Sequence, residues 1–137
     1  MRIKNIDHLN LTVADFDTTV SWYSRVFGFK LVEEDVQDGT RWGVLRQGEA
    51  MLCIYQFAEC RLEDRFEMRK MGLHGINHFG LRITDQDAWE KIIKREKIEV
   101  LYDGPTRWPH STSWYIKDPT GWEIEVALWD DDAVAFG

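Results

Sequence analysis

The strongest constraint on the fold is an internal repeat. Ile6-Asp7-His8 recurs as Ile76-Asn77-His78, Leu11 as Leu81, Asp15 as Asp85 and Asp17 as Asp87, all at one spacing of 70 residues. A repeat of this kind means one supersecondary unit per copy, each unable to cover its apolar face alone. The chain should therefore fold as two equivalent modules related by a pseudo-twofold axis, with matching positions of the two first strands approaching each other.

Each copy reads as β-α-β-β-β. In the first, Arg2 to Val13 alternates as a strand, with Leu9, Leu11 and Val13 on one face and Ile6, His8, Asn10 and Thr12 on the other. Asp15 can accept the orphan amides of a helix whose apolar stripe is Phe16, Val20, Tyr23 and Phe27, and Gly28 ends it. Strands follow over Phe29 to Val36, Arg41 to Arg46 and Glu49 to Phe57, punctuated by Asp38-Gly39 and Gln47-Gly48. In the second copy a strand opens at Ile76. A helix then starts at Asp85 or Asp87, with Trp89, Ile92 and Ile93 on its buried side; Asp87 and Glu90 have capping-box spacing. Strands are expected over Glu99 to Asp103, Ser113 to Lys117 and Trp122 to Leu128.

The expected architecture is α+β, two βαβββ modules forming a cup of mixed sheet. The modules span 1–57 and 76–130, joined by a charged linker, 58–75, with a possible short helix, and followed by an acidic tail, 131–137, all within one compact domain. A chain of 137 residues, 44% apolar and 30% charged, is long enough to bury a real core. The net charge of −7, with no basic run, argues against nucleic acid or an anionic membrane as partner. No segment has the pattern of a signal peptide, and no apolar run reaches the roughly 18 residues of a membrane span. Cys53 and Cys60 are not in metal-finger or CxxC spacing. A cytoplasmic protein acting on a small molecule is the reading these features favour.

Functional candidates come from strand parity. In Lys117 to Val126, KDPTGWEIEV, Pro119 and Gly121 suit a tight turn, and Glu123, Glu125 and Ala127 share one face of the strand that follows. A lone mid-strand carboxylate is usually a solvated edge residue. The repeat alters this for Glu125, because His8 and His78 occupy equivalent positions facing the same cleft. Two neutral imidazoles and one carboxylate on one side of a divalent ion leave open positions for substrate oxygens, water or dioxygen. His8, His78 and Glu125 are thus the expected metal ligands. A two-residue shift across the longer KDPTG turn makes Cys53 the repeat partner of Glu125. Tyr115, ten residues before Glu125, is placed as acid or hydrogen-bond donor, and His110, after Trp108-Pro109, as a possible base. Asn10, Cys53, Tyr55, Arg82 and Ser113 are expected to line the substrate region, Arg82 as an anion partner.

With these residues in view, the chain resembles the vicinal oxygen chelate superfamily, which includes glyoxalases, bleomycin-resistance proteins and extradiol dioxygenases. The matching stretches are IDHLNLTVADFDTTVSWYSRVFGF, INHFGLRITD and DPTGWEIEV. The resemblance implies a cup around a divalent metal held by His8, His78 and Glu125, in a protein that works as a homodimer, with modules pairing within or between chains. Glyoxalase-type lyases carry a fourth carboxylate where this chain has Cys53, with Glu49 four residues away. Extradiol dioxygenases use two His and one Glu on Fe(II) with a nearby Tyr, and the Tyr115-to-Glu125 spacing is similar to theirs. Their further catalytic histidine has no clear match beyond His74 and His110. Fosfomycin-resistance thiol transferases share the three ligands and a Leu-Cys-Ile strand like Leu52-Cys53-Ile54, but not the basic residues they place after the last ligand. Bleomycin-resistance proteins bind without metal. The expectation is a metalloenzyme with Fe(II) dioxygenase-like chemistry first. Mn, Ni or Zn with lyase, isomerase or thiol-transferase chemistry is the alternative, and a non-catalytic small-molecule-binding resistance protein the second class.

Overall fold

The computed structural model describes residues 1–136. The chain divides into two compact units, Met1–Leu62 and Glu63–Gly137. The first holds β1 (Leu9–Thr12), α1 (Phe16–Phe27), β2 (Lys30–Gln37), β3 (Thr40–Gln47) and β4 (Ala50–Gln56). The second holds α2 (Arg65–Lys70), β5 (Phe79–Ile83), α3 (Gln86–Glu96), β6 (Thr106–Trp108), β7 (Ser111–Lys117) and β8 (Glu123–Trp129). The sheets run β1-β4-β3-β2 and β5-β8-β7-β6, so each repeat has the same strand order, with its first strand parallel to its last.

The core of the first unit forms where α1 lies on the sheet. Asp15 caps the helix, its side chain accepting from the Thr18 amide, and Gly28 ends it in the left-handed conformation at φ 71°. The buried stripe is Phe16, Thr19, Tyr23 and Val26, packed with Phe29, Leu11, Leu45, Leu52 and Ile54. Val20 and Phe27, expected on this stripe, are half-buried at its margins. Gly43 makes the close approach possible. A Cβ there would stand 2.8 Å from Phe16 Cζ, 2.9 Å from Leu31 Cδ1 and 3.0 Å from the Glu33 carbonyl oxygen.

In the second unit Asp85, not Asp87, caps α3 by accepting from the Ala88 amide, and Trp89 is its buried anchor. Ile116 on β7 and Ile124 and Val126 on β8 are fully buried. The turn into β8 is tied by Asp118, whose Oδ1 accepts from the amides of Thr120, Gly121 and Trp122, each at 2.9 Å. Gly121 takes φ 103°, a conformation costly for other residues. This knot fixes the register in which Glu123 and Glu125 leave the turn.

Two strand expectations need correction. Arg2 to Val13 is strand only over Leu9–Thr12, because β4 offers partners from Leu52 to Tyr55 and the earlier residues have none in the ladder. Glu99 to Asp103 is not a strand. Tyr102 and Asp103 have φ of 59° and 63°, which ends any ladder there, and only Leu101 donates across, to the Tyr115 carbonyl at 2.8 Å. Pairing resumes at β6, with Thr106 opposite Ser113.

Candidate functional site

The site of the second unit follows from the registers of β5, β8 and β7. Phe79 pairs with Ile124 and Gly80 with Glu125, so His78, just before β5, reaches the level of Glu123. Tyr115 lies directly opposite Glu125, and Ser113 opposite Ala127. Alternation then gathers His78, Glu123, Glu125, Ser113 and Tyr115 on one face. β8 lies between β5 and β7, so Glu125 sits on an interior strand and not at a solvated sheet edge.

The contacts are close. His78 Nε2 stands 3.1 Å from Glu125 Oε2, and Ser113 Oγ donates to Glu125 Oε1 at 2.6 Å. The His78 and Tyr115 rings meet edge to face at 5.5 Å between centroids. Burial first, and the charge of Glu125 next, raise the pKa of Tyr115 above the ordinary tyrosine value, keeping the phenol protonated as a donor.

Glu123 was not recognised from sequence as part of this group. Its side chain is 3% exposed, with Oε2 taking Arg65 Nε at 3.0 Å and Tyr102 Oη at 2.9 Å. Parity puts Glu123 on the same face as Glu125, and that was the available signal. Its burial comes from α2 and from the irregular stretch before β6, which carry no periodic pattern.

In the first unit His8 directly precedes β1, and its Nδ1 pairs with Asp7 Oδ2 at 2.9 Å. Asn10 lies opposite Cys53 and Thr12 opposite Tyr55. Because Asn10 and Gly80 are repeat equivalents, Cys53 and Glu125 occupy the same place in their sheets. The Cys53 thiol is pushed up by burial, then by Asp7 and Glu33, which keeps it neutral. Tyr55 stacks between Trp42 and Phe57, with centroids 6.3 and 5.9 Å apart and planes inclined by 22° and 12°.

The other candidates lie elsewhere. Arg82 donates to the carbonyl oxygens of Asp131, at 2.7 Å, and Asp132, at 3.4 Å, so its guanidinium holds the acidic tail. His110 is exposed in the β6–β7 turn, where its carbonyl accepts from the Asp130 amide at 3.0 Å. That is five strand residues from Tyr115, or about 16 Å. His74 is exposed in the stretch after α2. Among the described residues no group of three or more His, Cys, Asp or Glu is arranged to hold a metal ion. His78 with Glu125 does provide one imidazole and one carboxylate side by side, a donor pair that suits a divalent transition metal.

The family model described as Glyoxalase/Bleomycin resistance protein/Dioxygenase superfamily matches residues 5–126. No curated protein matches the sequence. Among solved structures, the chain is similar to a glyoxylase/bleomycin resistance protein/dioxygenase domain from Frankia sp. EAN1pec. The TM-score is 0.78 at 17% identity, over 93% of this chain and 99% of that one. A lactoylglutathione lyase from Agrobacterium tumefaciens matches with TM-score 0.67 and 27% identity, over 93% of this chain and 96% of that one. The third is a mutant fosfomycin resistance protein from Listeria monocytogenes, complexed with Mn(II) and 1S,2S-dihydroxypropylphosphonic acid. It matches with TM-score 0.69 and 17% identity, over 95% of this chain and 94% of that one.

Proposed function

Since the chain belongs to the glyoxalase/bleomycin resistance protein/dioxygenase superfamily, we propose that it is a divalent-metal enzyme that chelates adjacent oxygens of a small substrate. The observation that carries this reading is the side-by-side approach of His78 Nε2 and Glu125 Oε2 at 3.1 Å, beside a buried, protonated Tyr115. These two side chains, with His8 as the third, would hold the ion. The ion, when bound, would supply Lewis-acid stabilisation of negative charge on substrate oxygens.

The chain's own residues give the rest. Ser113 holds one oxygen of Glu125 by its hydrogen bond, so the other oxygen keeps a fixed direction. Tyr115 is placed to donate to a substrate oxygen or to protonate a leaving carbon or oxygen. The place that would carry a further proton-shuttling carboxylate is taken by Cys53, a neutral thiol. Two imidazoles, one carboxylate and no extra base suit Fe(II) and dioxygen chemistry on an adjacent diol better than proton transfer along a carbon chain. The Trp42–Tyr55–Phe57 stack would suit a flat, partly apolar substrate.

A second reading rests on the 27% identity to the lactoylglutathione lyase, which favours lyase or isomerase chemistry with Mn, Ni or Zn. Anaerobic Fe(II) reconstitution followed by oxygen uptake with catechols separates the two. Uptake that needs Fe(II) supports the first. No uptake, alongside Ni- or Zn-dependent isomerisation of a hemithioacetal, establishes the second. The active form is proposed to be a homodimer, checked by native mass.

A further inference from the structure

The two histidines of the repeat share a property that their strand positions alone do not require. His8 Nδ1 faces a carboxylate, Asp7 Oδ2, at 2.9 Å. His78 Nδ1 also faces a carboxylate, Glu123 Oε1, at 3.9 Å. The two carboxylates come from different places. Asp7 is the chain neighbour of His8, and its repeat equivalent beside His78 is Asn77. Glu123 is the strand neighbour of His78, and the residue at the corresponding level of the first sheet is Met51. The same relation is thus reached in the two units by non-equivalent residues.

The surroundings of Glu123 point the same way. A buried carboxylate is costly unless its lone pairs are used. Arg65 and Tyr102 occupy Oε2, while Oε1 is buried with no hydrogen-bond partner. His78 Nδ1 is likewise buried with no partner. Leaving either atom unpaired is unfavourable, and a hydrogen bond between them requires an approach of only about 1 Å. Arg65 Nε, which also has no hydrogen-bond partner, lies 3.0 Å from the other oxygen, Oε2, and leaves Oε1 facing His78.

We propose that Glu123 is the positioning residue of His78: its Oε1 accepts from Nδ1–H, and Arg65 and Tyr102 anchor its other oxygen, so that the Nε2 lone pair is aimed at the ion. The inference rests on the metal-binding reading above. A carboxylate behind a ligating imidazole fixes its tautomer and ring orientation and raises its basicity, and losing one typically weakens metal binding about 10–100-fold.

The test is calorimetric titration of Zn(II) into metal-stripped protein. It compares wild type, His78→Ala, Glu123→Gln, and the double variant Arg65→Met/Glu123→Leu, which avoids leaving a buried guanidinium unpaired. Circular dichroism establishes that each variant is folded. The expected result is binding by wild type, loss in His78→Ala, and affinity weakened about 10–100-fold in both Glu123 variants. Proton–nitrogen spectra of the Zn(II)-loaded, histidine-labelled protein should also show a slowly exchanging, downfield Nδ1 proton on His78 that the double variant lacks. Affinity within twofold of wild type in both Glu123 variants, with His78→Ala unable to bind, would overturn the positioning role and leave the metal reading standing. Wild type that takes up no Zn(II) at this site would overturn both.

Discussion

Tyr115 and Glu125 face each other across the β7–β8 pair, with the His78 ring edge-on to the tyrosine. This places a protonated phenol beside the carboxylate of the proposed metal site. Tyr115→Phe should therefore lower turnover about 100-fold, in the range of one acid–base group, while leaving metal content unchanged. Elemental analysis and steady-state rates on the same preparation check this. Unchanged turnover would show the hydroxyl to be structural only.

Cys53 sits where Glu125 sits in the other sheet, yet its thiol is kept neutral by burial and by Asp7 and Glu33. Cys53→Ala should retain full metal content and most activity. Loss of the ion in this variant would make Cys53 a ligand and remove the argument against proton-shuttling chemistry.

The gathering of His78, Glu125, Ser113 and Tyr115 on one face is legible in the sequence, because strand alternation is periodic. The repeat paired His8 with His78, the shift across KDPTG matched Cys53 with Glu125, and the β4 and β8 registers show that match. Glu123 was not legible, because its burial depends on Arg65 at the start of α2 and on Tyr102, held at φ 59° in an irregular stretch. The same left-handed residues dissolved the strand expected at Glu99 to Asp103. Arg82 has the parity of a cleft residue, but its partners are tail carbonyls 49 and 50 positions away, which no local pattern reports.

Asp64 tests how far the α2 anchor matters. Its Oδ1 accepts from the Phe66 and Glu67 amides, and its Oδ2 takes Lys117 Nζ at 3.1 Å. The Glu67 amide first, then Lys117, hold its pKa below the ordinary 3.8. A depressed carboxylate stabilises the fold above its unfolded pKa, and that contribution disappears as pH falls through the lower folded value. Asp64→Ala should cost about 1 kcal/mol at neutral pH. The gap between variant and wild type should narrow as pH falls below the ordinary carboxylate value of 3.8, which thermal melts from pH 7 to 2 would show. A gap constant with pH would contradict the capping role.

Gly43 tests the packing of α1. Gly43→Ala puts a methyl group against Phe16, Leu31 and the Glu33 carbonyl, and should destabilise the protein by about 1–3 kcal/mol. Urea unfolding measures this. An unchanged midpoint would mean that α1 can move away from the sheet at little cost.

The proposed metal reading makes His8, His78 and Glu125 each a ligand of a divalent ion. Elemental analysis of metal-loaded, desalted wild type beside His8→Ala, His78→Ala and Glu125→Gln tests it most directly. The expected result is one equivalent of metal per chain in wild type and near-complete loss in each variant. Metal-free wild type, or variants that keep the full equivalent, would contradict it.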